Sequence, residues 1–201
     1  ELLFKENYTV LYPTQPITIN CNDIEEAIYL FVNLYGAASG TNLNFEKLKK
    51  VGPYDFTLYA RCNQLNFPLL ESVNGFLFTV KKDIITFPSL KSINYLFGPV
   101  DAEFNQLNFP SLQYCKYFDF SSSSVVGYNS EVTIPQLKYC EYFRLLSISN
   151  NSNIINTILH QFVNVLPTSS KNIIIYSAPA TGQGIIDKQT IINQGNQVTS
   201  N

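Results

Sequence analysis

The chain of 201 residues has no methionine and no tryptophan, and it contains a single histidine. Charged residues make up 14% of the sequence, and the formal net charge is -2. The basic residues never cluster beyond pairs such as Lys49-Lys50, so binding of nucleic acid through a basic patch is not expected. Because the first residue is Glu1, we expect a processed product or one part of a longer protein.

Long apolar runs and metal-ligand patterns are missing as well. No stretch approaches the roughly 18 apolar residues of a membrane-spanning helix, so direct insertion into a membrane is not expected. The four cysteines form no CxxC pair, and His160 alone cannot complete a zinc site with them. We therefore predict neither a metal ion nor a cofactor.

What the sequence does contain is a repeated phrase: an apolar residue, a polar residue, an aromatic residue or isoleucine, often a proline, and then a leucine. The five copies are spaced at steps of roughly 20 to 25 residues, a period that is the signature of a solenoid. Their third positions are Phe45, Phe67, Phe87, Phe109 and Ile134.

Each copy is followed by an alternating run that predicts a β-strand. Aligned from their first apolar residue, the five runs predict three inward-facing columns of a common core. These columns are Val51, Val73, Ile93, Cys115 and Cys140, then Tyr54, Phe76, Leu96, Phe118 and Phe143, then Phe56, Phe78, Gly98, Phe120 and Leu145. Residues 41–150 are thus predicted to form a mainly β, parallel solenoid of about five coils.

Cys115 and Cys140 occupy matching places in neighbouring copies of the repeat. Matching places in a parallel stack lie at strand spacing, about 4.8 Å apart. This favours two small buried thiols and leaves a disulfide bond between them as the alternative.

Strand alternation turns the places between the core columns outward. The two outward columns are Pro53, Gly75, Tyr95, Tyr117 and Tyr142, and Asp55, Leu77, Phe97, Asp119 and Arg144. An exposed row of tyrosines on a rigid sheet suits stacking against sugar rings, with added phenol hydrogen bonds, or the centre of a protein contact. We therefore predict a ligand-binding site at Tyr95, Tyr117, Tyr142, Phe97, Asp119 and Arg144.

Two alternatives to this exposed row stay open. Segments from either end of the chain can fold across the row and bury it, because large apolar patches are seldom left open on a monomer. A slip of one residue in the strand register would instead turn all three tyrosines into the core.

Residues 1–40 do not carry the repeat and are predicted to form an N-terminal arm and a helical cap. The segments 8–12 and 17–19 are strand candidates. Asn22 followed by Glu25 resembles a capping box. Behind it, one helical face ending at Gly36 predicts an amphipathic helix that covers the first coil. That face consists of Ile24, Ala27, Ile28, Phe31, Val32 and Tyr35.

Residues 151–201 are predicted to form a C-terminal cap of helix, strand, helix and strand. Apolar residues from Ile154 to Leu166 recur at helical spacing, with Ser152 or Asn153 as the N-cap and Pro167 as the stop. A strand is predicted at 172–177, and a short helix and a last strand after residue 182. The lone His160 is predicted to be a partly exposed helix residue without a catalytic role.

The phenylalanine-proline-x-leucine corner before each strand, over residues 43–148, resembles leucine-rich-repeat-like solenoids of the receptor-L-domain type. The C-terminal segment, with its helix, strand and residues 181–188, is similar to the ending of leucine-rich surface proteins of Bacteroidetes and of fibre proteins of their phages. This resemblance implies a leucine-rich-repeat-like solenoid with a short helical cap at each end, located outside the cell, on a cell surface or on a virion.

These features predict a non-enzymatic recognition or adhesion module that binds a cell-surface glycan or protein through the outer sheet face. The alternative is a structural subunit of a virion, fibre or surface assembly, docking to neighbouring copies through residues 1–20 as a homo-oligomer such as a trimer.

Two further readings have weaker support in the sequence. A glycan-processing enzyme needs two carboxyl groups ~5–9.5 Å apart, whereas Asp55 and Asp119 are predicted to lie three coils apart. A calcium site at Asp101, Glu103 and Asp119 would lack the usual DxDxD-type run of ligands.

Overall fold

The computed structural model describes residues 8–10, 15, 18–34, 41–60, 64–80, 84–98, 105–120, 131–146, 151–176 and 178–200. The predictions for Asp101, Glu103 and most of residues 1–17 concern positions outside these ranges. The described residues form a mainly β fold with parallel sheets and two helices. The strands are β1 (Tyr8–Val10), β2 (Thr18–Asn20), β3 (Glu26–Ala27), β4 (Leu30–Leu34), β5 (Asn42–Asn44), β6 (Lys50–Val51), β7 (Phe56–Ala60), β8 (Gln64–Asn66), β9 (Ser72–Val80), β10 (Ile84–Thr86), β11 (Ser92–Phe97), β12 (Gln106–Asn108), β13 (Tyr114–Phe120), β14 (Glu131–Thr133), β15 (Tyr142–Leu146), β16 (Asn172–Tyr176) and β17 (Gln197–Ser200). The helices are α1 (Ser152–Phe162) and α2 (Gln183–Asn193).

One large parallel sheet runs the length of the described chain. Its 11 strands follow the order β1-β4-β7-β9-β11-β13-β15-β16-β17, and β3 and β6 pair alongside this path. There are two smaller parallel sheets, β2-β5-β8 and β10-β12-β14, and all of their strands except β2 come from the repeated phrase. Because the residues pair in register, matching places of neighbouring repeats lie side by side, as Leu43 does with Leu65 and Leu107 with Val132.

The core between the sheets consists of stacked aromatic and aliphatic columns. Phenylalanines of the repeated phrase stack on one another, with ring centroids 5.1 Å apart for Phe45 and Phe67 and 5.4 Å apart for Phe87 and Phe109. The predicted inward columns are confirmed by burial at Val51, Val73, Ile93, Cys115, Cys140, Phe76, Leu96, Phe118, Phe143, Phe56, Phe120 and Leu145. Edge-to-face contacts such as that between Phe76 and Phe87 join the columns of the large and small sheets.

Tyr54 was predicted to point inward, and this prediction is wrong: its side chain is 64% exposed. Val51 pairs with Val73, but Phe56 rather than Tyr54 pairs with Phe76. The segment 52–55 is therefore longer than the segment of β9 that it opposes. As a consequence Leu58 aligns with Phe78, and Thr57 rather than Asp55 aligns with Leu77.

The predicted N-terminal helix is also wrong. Residues 26–27 and 30–34 form β3 and β4, which pair with β6 and β7. With β2, whose Ile19 aligns with Leu43, these strands add one more repeat before the five that the sequence shows. Ala27, Leu30 and Val32 are buried, and their spacing matches that of the inward places in the later repeats. The separation of three residues between Ala27 and Leu30 also places two residues on one face of a helix, which explains the wrong prediction. The strands predicted near residues 8–12 and 17–19 are confirmed as β1 and β2.

The C-terminal order of helix, strand, helix and strand is confirmed. The N-cap of α1 is Asn151, whose Oδ1 accepts a hydrogen bond of 3.0 Å from the backbone N–H of Asn153, rather than Ser152 or Asn153. The helix buries Ile155, Ile158, Leu159 and Phe162 against the end of the core. Strand β16 pairs in parallel with β15, so the large sheet continues without a break into this segment.

Candidate binding face

The three predicted tyrosines lie side by side on the large sheet. Tyr95 of β11 pairs with Tyr117 of β13, which pairs with Tyr142 of β15. The next residue on each strand is fully buried, so the tyrosines point away from the core. Tyr95 is 39% exposed, Tyr117 is 36% exposed and Tyr142 is half-buried. The one-residue slip is therefore wrong, and no described segment covers Tyr95 and Tyr117.

The tyrosine rings stack on one another. Ring centroids are 5.6 Å apart for Tyr95 and Tyr117, with planes inclined at 32°. For Tyr117 and Tyr142 they are 5.4 Å apart and inclined at 24°. Because each inner ring face meets a neighbouring ring, the row offers ring edges and phenol hydroxyls to a ligand. Stacking of a sugar on an open ring face is therefore confined to the ends of the row, which the sequence did not reveal.

The Tyr95 end of the row has a carboxylate beside it. Tyr95 pairs with Gly75 of β9, which has no side chain to cover the outer ring face. The carboxylate of Asp55 fills the space above that glycine, since a β-carbon built on Gly75 would collide with Asp55 Oδ1. The longer segment 52–55 thus brings Asp55 into line with the tyrosines instead of with Asp119, where the sequence alignment had put it.

The second outward column lies next to the tyrosines. Phe97, Asp119 and Arg144 pair across β11, β13 and β15, and Phe97 is 44% exposed. Arg144 Nη1 lies 4.0 Å from Asp119 Oδ2, at the limit of an ion pair. Asp119 Oδ1 and Arg144 Nε are buried without a hydrogen-bond partner among the described residues. This pair therefore keeps one acceptor and one donor whose bonding capacity is unused.

A second tyrosine stack was missed in the sequence. Tyr114 and Tyr139 stack with ring centroids 4.9 Å apart and planes inclined at 11°. The Tyr139 hydroxyl donates a short hydrogen bond to Glu141, and this bond raises the pKa of Tyr139 to about 12. Glu141 also lies 3.8 Å from Lys116 Nζ. The available signal was that each tyrosine immediately precedes an inward cysteine, which turns its side chain outward.

Cys115 and Cys140 lie in the core beneath the tyrosine row, and their thiols bond to the backbone of two of its residues. Both are buried and free, so the favoured interpretation as core thiols is confirmed. The Cys115 thiol donates to the backbone oxygen of Tyr117 at 3.3 Å, and the Cys140 thiol donates to that of Tyr142 at 3.2 Å. Burial raises the pKa of Cys140 to about 12 and that of Cys115 well above its usual value, so neither thiol ionises near neutral pH.

The lone histidine lies away from this face, on α1. Its side chain is 72% exposed, as predicted, and His160 Nδ1 lies 3.0 Å from Asp187 Oδ2 on α2. Asp187 Oδ1 accepts a second hydrogen bond of 3.0 Å from Gln183. The contact joins the two helices. Within the described ranges, no group of three or more histidine, cysteine or acidic side chains is arranged to hold a metal ion.

We call Asp55, Tyr95, Phe97, Tyr117, Asp119, Tyr142 and Arg144 together the tyrosine face. Among the residues that the structure describes, no helix is long and apolar enough to cross a membrane. Comparisons with protein-family models, with curated proteins and with solved structures found no match to this chain.

Proposed function

We propose that this chain is a non-enzymatic recognition module of a cell surface or a virion surface, and that its ligand is a glycan held on the tyrosine face. The observation that carries the proposal is the outward-facing stack of Tyr95, Tyr117 and the half-buried Tyr142, with the Asp55 carboxylate in line with it. The repeats that carry the face would form a leucine-rich-repeat-like parallel solenoid, located outside the cell.

The polar groups of the tyrosine face favour a glycan over a protein. Three phenol hydroxyls repeat at strand spacing, about 4.8 Å, and each can donate and accept hydrogen bonds with sugar hydroxyls. The Asp55 carboxylate stands in the place next to Tyr95 and can accept hydrogen bonds from the hydroxyls of a sugar bound at this end of the row. A protein contact would instead favour an apolar centre from which charged groups are depleted.

The Asp119 and Arg144 pair supports the same ligand class. Sugar hydroxyls that approach this pair can donate to Asp119 Oδ1 and accept from Arg144 Nε, the two atoms that lack partners among the described residues. Small side-chain movements would open both atoms to the ligand, because the ion pair that holds them is long at 4.0 Å. The tyrosine face would thus recognise a hydroxyl-rich surface through phenol hydroxyls, the Asp55 carboxylate and the Asp119–Arg144 pair.

The stacked repeats provide a stiff support for such a face. Outward side chains on parallel strands can change without disturbing the buried columns beneath them, which suits a module that selects one surface among many. Affinity for each site would be modest, and several copies on one surface would strengthen attachment.

The test is titration of the chain with purified bacterial surface polysaccharides, followed by calorimetry. The variant carries Tyr95→Ala, Tyr117→Ala and Tyr142→Ala. Its matched control is Tyr176→Ala, which removes an exposed tyrosine of β16 from the sheet outside the row. We expect the parent and the control to bind and the folded triple variant to lose binding at least tenfold.

Equal binding by the parent and a folded triple variant would refute the proposed site. If a folded parent binds no polysaccharide but binds a cell-surface protein, the ligand class is wrong. If the folded parent binds neither, the function as a recognition module is wrong, and the assembly subunit becomes the favoured reading.

A further inference from the structure

Three of the six exposed residues of α2, at the C-terminal end of the sheet, are isoleucines. Ile185, Ile186 and Ile192 are 57%, 59% and 37% exposed. On the other side of the helix Ile191 and Asp187 are buried, and Gly184 lies so close to α1 that a β-carbon there would collide with Asn156. Caps of stacked-repeat proteins usually turn a polar outer face to solvent. This end of the stack is therefore unlike a finished cap.

The same end of the molecule lacks exposed charge. The exposed residues of α2 are Gln183, Ile185, Ile186, Gln189, Ile192 and Asn193, all uncharged. Lys188 is half-buried and its Nζ donates to the backbone oxygen of Ser200 at 3.3 Å. Strand β17 contains only Gln197, Val198, Thr199 and Ser200. The exposed side chains of α2 and β17 would therefore bring no charge against a second copy of the chain that approaches this end.

Strand β17 is the edge of the large sheet. In the described part of the chain its strand partner is β16. The backbone N–H of Gln197 donates to the backbone oxygen of Lys171 at 2.9 Å. Alternation along a parallel strand then turns the backbone groups of Val198 and the N–H of Ser200 toward the open side. An open edge of this kind is a template for another strand.

We propose that two copies of the chain associate through this end about a two-fold axis, with β17 antiparallel to β17 and α2 antiparallel to α2. The spacing of the exposed isoleucines fits such self-pairing. Ile186 and Ile192 lie equally far from Gln189 along the helix. When two helices cross antiparallel at Gln189, Ile186 of one copy meets Ile192 of the other, as a self-complementary contact requires.

A second copy is the occupant that matches both features at once, because it brings an open strand edge together with a helix whose exposed residues are uncharged and include three isoleucines. The inference does not depend on the ligand of the tyrosine face. It has a consequence for that face, however, since a two-fold axis perpendicular to a continuous sheet keeps both tyrosine faces on the same side. The two Tyr142 side chains would stand five strand spacings apart, about 24 Å at ~4.8 Å each.

The test is the mass of the chain in solution, measured by sedimentation equilibrium over a series of concentrations. We expect the mass to rise to twice the 22.8 kDa of the chain and to stop there. Gln189→Lys and Gln189→Glu place like charges at the two-fold axis, so each variant alone should remain monomeric. Mixing the two variants should restore a dimer, since opposite charges then meet. The controls are Gln136→Lys and Gln136→Glu, on an exposed turn after β14, which should dimerise as the parent does.

A parent that stays monomeric at every concentration would overturn the proposal. So would masses that keep growing with concentration, which indicate head-to-tail stacking through the β1 edge, or folded Gln189 variants that dimerise alone. Thermal unfolding of each variant confirms that it is folded, and the mixing experiment would distinguish a lost contact from a damaged helix.

Discussion

The carboxylate of Asp55 occupies the space in which a side chain on Gly75 would stand, so an acid takes the place of an aromatic ring at the end of the tyrosine row. The carboxylate reaches this place because segment 52–55 is two residues longer than the segment of β9 that it opposes. It leaves the outer face of Tyr95 next to an acceptor, and it makes Asp55 the most informative single position for testing the proposed glycan site.

Asp55→Asn should weaken binding of surface polysaccharide about tenfold while the fold is retained, because hydrogen bonds to a charged acceptor contribute about 1.5–3 kcal/mol. Calorimetric titration beside circular dichroism measures both quantities. Asp23→Asn, on an exposed side chain of the N-terminal repeat, is the control and should bind as the parent does. Unchanged affinity of the Asp55 variant would remove this residue from the site.

Two glycines provide a matched comparison of stability. A β-carbon on Gly98 would collide with the ring of Phe120, which is fully buried and has no room to move. Gly98→Ala should therefore lower the free energy of unfolding by about 1–3 kcal/mol. Gly75→Ala meets an exposed carboxylate that can swing away, so its cost should stay below about 1 kcal/mol.

Urea unfolding of the two glycine variants gives both free energies under the same conditions. If Gly75→Ala proved as costly as Gly98→Ala, the carboxylate of Asp55 would be held more firmly over the sheet than its exposure implies.

The buried thiol of Cys140 should make the protein less stable in alkali. Its pKa is raised from 9.0 to about 12 in the folded chain, so the unfolded chain loses its proton first as the pH increases. The protonated Cys140 thiol makes its full contribution to the free energy of unfolding below pH 9, and this contribution declines as the pH rises toward 12. Urea unfolding across this range should show a steeper fall for the parent than for Cys140→Ala. Identical slopes would indicate that the thiol is accessible to water in the folded state.

The buried ammonium group of Lys171 should contribute to stability. Lys171 is 1% exposed, and its ammonium group has no carboxylate partner in the described residues. Its Nζ donates to the backbone oxygens of Val165 at 2.7 Å and Pro167 at 2.6 Å. Burial lowers the pKa of Lys171. Lys171→Met would leave these carbonyls without a donor and should lower the free energy of unfolding by about 2–4 kcal/mol.

The control for this change is Lys138→Met, on an exposed lysine, with an expected cost below about 0.5 kcal/mol in the same urea experiment. Equal effects of the two substitutions would show that the loop between α1 and β16 does not need the buried ammonium group.

The repeat explains why much of the core could be predicted from the sequence. Residues such as Ile93, Leu96 and Phe118 recur at matching places, and stacking of parallel strands converts recurrence directly into contact. The same spacing made the prediction at Ala27 and Leu30 wrong, since a separation of three residues is found both on one face of a helix and between the buried places of this repeat. The position of Asp55 could not be predicted, because two added residues preserve alternation while they shift the register.

The burial of Lys171 could not be predicted from the sequence, for a different reason. Its partners are backbone carbonyl groups of a loop. Every residue type has such a group, so the sequence does not indicate which carbonyls will meet a lysine. The stack of Tyr114 on Tyr139 was within reach, by contrast, because each precedes a cysteine that the repeat places in the core.

The order of strands in the large sheet also determines how the molecule would respond to tension. Strands β1 and β17 lie at opposite edges, so a pull between the two ends of the described chain acts across the strands and opens their hydrogen bonds pair by pair. Repeats would then peel away in succession, each lengthening the tether while the rest remain folded. A module of this construction yields gradually under load, and a single-molecule extension trace should show a series of steps spaced by one repeat.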